Sequence, residues 1–444
     1  MTGRDGAHGR RPRELVSSAA RVRILYVSQY FPPEPGAPAA RVSELARAWA
    51  ARGHDVTVLT GMPNHPTGVV PAEYAGKTLV REDFHGVNVV RTWIYAAANK
   101  GRVRRSLAYA SFATSATLFG QLFAGKSPDV LVATSPQLLC GAAGALISLT
   151  RRVPFVLEIR DLWPESIVAV GALPAAHPII KGLTVVEEAL YRAAKSIVVV
   201  TDTFKEKLAE RGIPRSKLSV VKNGVDLGRF KPAGRDTKMR ARLGLGDRFV
   251  ASYVGTHGMA HGLDAVLDVA KRFLANDGVR FLFVGEGAER ARLEARAKSD
   301  GLTNVRFLGV LPRDEMTEVY ATTDVCLVPL RKTELFSTVI PSKIFEILAM
   351  ERPLVLSVDG EARQIVESSG GGLYAPPEDV DAMHAAVATL LADQARAQTM
   401  GKRGREYVVR EFDRTNLADS YLRILEQAAG LSQAVGTEHA AGRR

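Results

Sequence analysis

Apolar residues in this chain come in short, nearly unbroken runs: VRILYVS, HDVTVLT, PDVLVATS, VPFVLEI and SIVVVT appear in that order. Runs of Val, Ile and Leu of this length predict strands buried on both faces. Between them lie segments with apolar residues at helical spacing, such as AARVSELARAWAARG, which Gly53 closes as a C-terminal cap. Strands alternating with helices predict a doubly wound, largely parallel α/β sheet.

The rhythm restarts after Lys222-Asn223-Gly224-Val225, with strands expected at RFVASYVG, VRFLFVGEG, VRFLGV, DVCLVPL and PLVLSV. Helices are expected between them. The chain therefore divides into two similar α/β units facing a central cleft. The expected boundaries are a basic tail over 1–21, a first Rossmann-like domain over 22–200, a second over 201–410, a C-terminal helix over 411–430 and a tail over 431–444. Two doubly wound sheets in tandem bind ligand outside the carboxyl ends of their strands, in the cleft between them.

Composition narrows the class. With 444 residues, 46% hydrophobic and 24% charged, the chain can bury two substantial cores. Cys140 and Cys326, the two cysteines, supply neither a disulfide framework nor a metal spacing. The expected setting is cytoplasmic, without a metal and without a cofactor beyond any co-substrate.

The net charge of +12 brings no zinc-finger spacing, basic zipper or aromatic RNA-binding signature with it. Nucleic acid is excluded as the expected partner in favour of a phosphorylated substrate or an anionic membrane surface. The first residues lack the apolar core of a signal peptide. The stretch LAYASFATSATLFGQLFA, 107–124, is apolar but interrupted by Ser, Thr and Gly, and it follows Arg102, Arg104 and Arg105. It is read as a helix packed in the protein or lying at a membrane interface, and not as a span.

Five loops at strand ends are the candidates for chemistry. The first, Gln29 to Pro38, carries Gly36-Ala37 among four prolines and lacks the G-x-G-x-x-G of a dinucleotide-binding fold. It serves either to bring helix-start N–H groups to an anion or as a stiff turn needing one positive φ. The second, EIRDLWPES, packs four charged residues, including Arg160 and Asp161, behind a buried strand; the two are either functional or simply paired with each other. The third and fourth, VGTHGMAHG and VGEGAER, are glycine-punctuated turns, in the latter of which Glu286 stands between Gly285 and Gly287.

The fifth is IPSKIFEILA. Ser342 is expected to cap a helix whose first turn holds Lys343, where the helix dipole disfavours a cation. A capping box would need its acid at 345, where Phe stands, so Glu346 is left unexplained by capping. A phosphate at the helix start accounts for Lys343, and a carboxylate one turn deeper can hold vicinal hydroxyls such as those of a ribose. The alternative is an i,i+3 surface pair.

With these motifs in order, ILYVSQYFPPEPGAPAARVSELARAWAARGHDVTVLT, EIRDLWPES, VVKNGVDLGRFKP, YVGTHGMAHGLDAVL, FVGEGAER and IPSKIFEILAMERPLVLS, the chain resembles the family-4 retaining glycosyltransferases of the GT-B fold from about Arg23 to Gly430. It resembles most the branch that builds bacterial O-antigen, capsule and related surface polysaccharides. The resemblance implies that the second domain binds a UDP-sugar, often an N-acetylated hexosamine or deoxyhexosamine, that the first binds a lipid-linked saccharide or glycan acceptor, and that the C-terminal helix crosses back to the first domain.

The implied donor-site positions are Gly36, Ala37, Gly255, Thr256, His261, Gly285, Glu286, Leu311, Thr338, Ser342, Lys343 and Glu346, with Lys343, Asp161 and Arg160 nearest the chemistry. Glu346 matches the second glutamate of the family's E-x7-E motif, and Thr338 stands where the first belongs. Thr256 and His261 take the places of an arginine and a lysine that many members use on the diphosphate, and Arg160 takes that of a histidine. Lys343 is then expected to supply the missing cation. Peripheral contact with the anionic inner membrane face is a further expectation. The rival readings are a UDP-sugar 2-epimerase and a non-catalytic sugar-nucleotide or glycan binder.

Overall fold

The computed structural model describes residues 21–431, apart from 35, 66, 98–101, 124–126, 136, 170, 172, 236 and 313–314. The basic tail before residue 21 and the segment after residue 431 lie outside the described residues. Fourteen strands are described: β1 Arg23–Val27, β2 Asp55–Gly61, β3 Leu79–Phe84, β4 Val87–Thr92, β5 Val130–Thr134, β6 Phe155–Ile159, β7 Ser196–Val199, β8 Leu218–Val220, β9 Phe249–Val254, β10 Val279–Val284, β11 Val305–Leu308, β12 Val325–Pro329, β13 Leu354–Ser357 and β14 Gly372–Tyr374. The first eight form one sheet in the order β3-β4-β2-β1-β5-β6-β7-β8, and the last six a second in the order β11-β10-β9-β12-β13-β14.

All pairings are parallel except β3 with β4. Strand order reverses beside β1 and β5 in the first sheet and beside β9 and β12 in the second, and the loops that leave these strands open into crevices at their carboxyl ends. In the first domain one sheet face packs on the helices Arg102–Phe123, Leu138–Arg151 and Pro178–Ala193, through Phe112, Ile147 and Leu190. The other face packs on the first helix, Ala37–Ala51, and on the C-terminal helix, Arg414–Ala429, through Trp49, Tyr421 and Leu425.

One sequence expectation shifts here. The first domain does not end at residue 200: the helix Asp202–Glu210 and β8 belong to it, because β8 adds to β7 in parallel register, Ile197 opposite Leu218. The LSV run of β8 is too short to announce itself in the sequence. The final helix, Arg414–Ala429, docks on the first domain, where Trp49 Nε1 donates to the Ala418 carbonyl at 2.9 Å.

The chain passes between the domains twice, and the two crossings touch. Val225 N donates to Phe412 O at 3.0 Å, and Arg414 N donates to Val225 O at 3.1 Å. A Cβ on Gly224 would stand 2.5 Å from Phe412 O, so the crossing needs glycine there.

Candidate functional site

The second domain's crevice is walled by two glycine turns lying back to back. A Cβ on Gly285 would fall 2.1 Å from Gly255 O, and one on Gly287 2.2 Å from His257 O. Gly255 and Gly285 also hold φ of +140° and +131°, which side-chain-bearing residues rarely adopt. His257 N donates to Glu286 O at 2.8 Å, and this locks the two turns together.

Lys343 comes up beneath this wall from the first turn of the helix Lys343–Ala349. Its Nζ lies 4.2 Å from the centre of the Tyr253 ring and so close under Gly255 that a Cβ there would be 2.5 Å away. The amine makes no hydrogen bond or ion pair with any described residue. Burial pulls its pKa down to about 8, against the opposing pull of Glu346. A half-buried cation held by an aromatic face, and not by a carboxylate, has the chemistry to receive an anion from outside.

Neutral groups surround it. Tyr253 donates to the Thr256 carbonyl at 2.7 Å, which fixes the turn. His261 stands with its ring 5.9 Å from that of Tyr253 and its Nδ1 3.3 Å from Gly258 O. Burial, then the neighbouring Lys343, hold its pKa down near 4. His257 is fully buried among Tyr253, Phe283 and Phe307 with both ring nitrogens unpartnered. Burial and Arg290 hold its pKa near 4 as well. Reading the sequence missed Tyr253 and His257; the only available signal was the histidine pair in THGMAH.

Other expected residues behave differently. Ser342 is not a side-chain cap: its backbone is already helical and its hydroxyl makes no capping bond, while the Ile344 N–H is taken by Pro341 O at 3.0 Å. Glu346 accepts from the Tyr320 hydroxyl at 3.0 Å on the next turn of the Lys343 helix. The Glu286 carboxylate is held by Arg290, as a surface ion pair. Thr338 is buried and its hydroxyl donates to Leu335 O at 2.7 Å within its own turn. Leu311 packs against the second domain's core. No contact among the described residues joins Glu286, Leu311 or Thr338 to Lys343.

On the first-domain side, Gly36 has φ of +109° and starts the first helix, with Ala37 and Pro38 following. Arg160 does not pair with Asp161. Its Nη1 instead donates to Pro38 O at 3.3 Å, so it braces the Gly36–Ala37 turn. Burial lowers its pKa, and burial raises that of the Asp161 carboxyl.

Behind this turn, Glu158 accepts from Tyr26 at 2.6 Å and from Arg41 Nε at 2.7 Å. Burial alone would raise the Glu158 carboxyl, but Arg41, Arg160 and the Tyr26 hydroxyl hold it below its ordinary range. Arg41 also reaches the interdomain segment, donating to Val221 O at 2.9 Å, Lys222 O at 3.1 Å and Asn223 Oδ1 at 3.1 Å. Lys222 in turn bonds Glu361 of the second domain at 2.6 Å. Val339, in the loop that leads to Lys343, packs against the first domain's core. The donor-side loop and the first domain therefore meet across the cleft.

Among the described residues no group of His, Cys, Asp and Glu is arranged to hold a metal ion. The crevice offers a cation, the turn N–H of Thr256 and a carboxylate one helical turn away. That set suits a phosphate with a hydroxylated neighbour.

Known proteins agree with this geometry. A glycosyl transferase 4-like domain matches residues 36–224, and a glycosyl transferases group 1 domain matches residues 248–393. The chain is 26% identical over 411 residues to WcaI of Escherichia coli (strain K12), a glycosyl transferase assigned by name to colanic acid biosynthesis; the match covers 90% of this chain and 99% of that protein.

Two solved structures share the fold at identities that speak to fold alone. Sucrose-phosphate synthase from Thermosynechococcus elongatus aligns with a TM-score of 0.74 at 21% identity, over 93% of this chain and all (100%) of that one. HepE of Anabaena, solved in complex with UDP-glucose, aligns with a TM-score of 0.69 at 17% identity, over 92% of this chain and 100% of that one. With its two parallel-sheet domains, its shared crevice and both family domains in their expected order, the chain belongs to the family-4 glycosyltransferases of the GT-B fold.

Proposed function

We propose that this glycosyltransferase moves an N-acetylated hexosamine or deoxyhexosamine from a UDP-sugar to a lipid-linked or glycan acceptor. It does so with retention of configuration and without a metal ion, in cell-surface polysaccharide synthesis at the inner face of the membrane. The observation that carries the reading is Lys343: a cation with no ion pair among the described residues, aimed at a glycine wall at the strand-order reversal of the second sheet. The name of WcaI supports the surface-polysaccharide setting, and the UDP-glucose held by HepE supports the donor class.

In this reading the UDP diphosphate lies against Lys343 and the turn amide of Thr256, and Glu346 holds the ribose. As the bond from sugar carbon to phosphate oxygen lengthens, charge grows on the leaving diphosphate. A fixed cation and a fixed amide dipole stabilise that charge without reorganising. The acceptor hydroxyl attacks from the same face, and its proton goes to the departing phosphate. Neutral His257 and His261 shape the pocket without competing with Lys343 for the phosphates.

The deciding experiment is UDP release from a panel of UDP-sugars, with and without a lipid extract of the producing cell, alongside melting curves in UDP and in GDP. A ligand at a hundred times its Kd adds about 2.7 kcal/mol of stability, which a melting curve reads directly. Extract-stimulated release from one donor is the expected result and names the donor. Binding of UDP with no release from any donor would replace this reading with a sugar-nucleotide-binding protein or a 2-epimerase.

A further inference from the structure

The second domain has an opening that donor binding does not use. It lies at the amino ends of the strands, where Phe249 opens β9, Asp324 precedes β12 and Pro353 precedes β13. The donor crevice lies at the carboxyl ends of the same strands, so one strand length separates the two. The cavity measures about 360 Å³, within the range of small-molecule sites.

Its two acids are already engaged. Asp324 accepts from Val250 N at 2.8 Å and pairs with Arg235 at 3.1 Å and Arg240 at 3.6 Å. Glu351 lies 3.9 Å from Arg405. Arg352 and Lys402 line the same cavity and make no ion pair among the described residues. The half-buried Arg352 donates from Nη2 to Ala233 O at 2.8 Å and to Ala321 O at 3.1 Å, while its Nε is buried without a partner. Burial pulls its pKa below the ordinary guanidinium value, against weaker pulls from Cys326, Asp324 and Glu351.

Neutral groups complete the lining. Gln394 and Gln398, one turn apart at the start of the helix Gln394–Glu411, make no side-chain hydrogen bond among the described residues. Met350 and Ala397 add buried apolar surface. Cations suit a phosphate, and free amides suit the hydroxyls of the molecule that carries it.

The pocket also shares an element with the donor crevice. Arg352 follows the helix Lys343–Ala349 and is tied to it, its N–H donating to Ile347 O at 3.1 Å. The Ala321 carbonyl it holds stands next to Tyr320, whose hydroxyl holds Glu346. An anion that draws Arg352 toward itself therefore acts on the helix that carries Lys343 and Glu346.

We propose that this pocket is a second ligand site, which binds a small phosphorylated metabolite through Arg352 and Lys402 and alters UDP affinity at the donor crevice. Each ligand then changes the other's affinity by the same factor, commonly about 5- to 150-fold. The site stands without the donor reading; the coupling rests on the UDP binding proposed above.

The test is calorimetry on the full chain with inorganic phosphate and with glucose 6-phosphate, in wild type and in Lys343→Ala, which removes the donor-side cation. The expected result is one binding event per chain, tighter for the sugar phosphate and retained in Lys343→Ala. Lys402→Glu and Arg352→Gln each weaken it about tenfold or more, as loss of a hydrogen bond to a charged group does. Lys402 is exposed and unpaired among the described residues, so Lys402→Glu keeps the wild-type melting temperature even where Arg352→Gln, which gives up two carbonyls, lowers it.

No binding of either probe, binding abolished by Lys343→Ala, or binding unchanged in Lys402→Glu overturns the site. Equal affinity for the two probes overturns the metabolite and leaves an adventitious anion site. A UDP affinity that is the same with and without glucose 6-phosphate overturns the coupling. A chain that binds glucose 6-phosphate and never binds UDP overturns the donor reading and leaves this pocket standing.

Discussion

Arg41 and Lys343 are two buried or half-buried cations on opposite sides of one cleft, and their surroundings are opposite too. Arg41 spends its guanidinium on Glu158, on the Val221 and Lys222 carbonyls and on Asn223. Lys343 makes no hydrogen bond or ion pair among the described residues and lies over the face of Tyr253, with Glu346 acting only at longer range. A buried charge with every donor satisfied holds structure together; one without an anionic partner is held in readiness for a ligand. The first domain's charges thus tie the two domains together, and in the proposed function the second domain's charge receives the diphosphate.

The comparison breaks most sharply at Glu158. Glu158→Ala leaves Arg41 buried without its counter-ion and should cost about 3–5 kcal/mol of stability, read by denaturant unfolding. A loss below about 1 kcal/mol would mean that Arg41 is solvated and that the knot is not structural.

Lys343→Ala should do the reverse. It weakens UDP binding and turnover by about a hundredfold or more, in the range of about 2.7–4 kcal/mol seen when an oxyanion contact is removed, while leaving the chain as stable as wild type. Near-normal turnover would remove Lys343 from the site, and a large loss of stability would make it another Arg41.

A pH titration sharpens the contrast. The Lys343 amine in the free protein has its pKa pulled down to about 8 from an ordinary 10.5, so its charge disappears as pH rises through about 8. UDP affinity, measured by calorimetry, should fall above that pH by up to about tenfold per unit. The unfolded chain holds this proton more tightly between the two values, so the unliganded protein gains stability from Lys343 as pH climbs from 8 to 10.5. An affinity that stays flat from neutral pH to 9.5 would place the charge elsewhere.

The smallest effect belongs to His257. With a folded pKa near 4 against an ordinary 6.5, it binds its proton more weakly folded than unfolded, so stability is lost as pH falls through 6.5 toward 4. His257→Phe replaces an unpartnered buried ring with an apolar one of similar shape, which is neutral or stabilising near pH 8. Melting temperature should rise most near pH 5. An acid limb identical to wild type would mean that the imidazole finds a partner in solution.

Much of this was legible in the sequence, for identifiable reasons. The parallel strands are continuous apolar runs, and buried central strands allow no other composition. The hairpin β3–β4 was not seen, because LVREDF is half-exposed and charged and the buried VNVVRT carries Asn and Arg within its apolar run. β14 escaped for the same reason as β8: three residues, GLY, carry no period. Lys343 stood out because a cation in a helix's first turn contradicts the dipole, and local contradictions mark functional positions. A pairing of Arg160 with Asp161 was one of the two readings left open by sequence adjacency, but the carbonyl that Arg160 meets is 122 residues away.

Local chemistry alone therefore determined two α/β domains, glycine turns at the strand ends and a displaced lysine in the second half. These follow from periodicity, propensity and dipoles, which act over a few residues. Tertiary structure decided which charges are satisfied. Glu158 meets partners 117 and 132 positions away, and among the described residues the same folding brings no carboxylate into an ion pair with Lys343. Whether a buried charge is a strut or a receptor depends on what long-range packing places within hydrogen-bond reach.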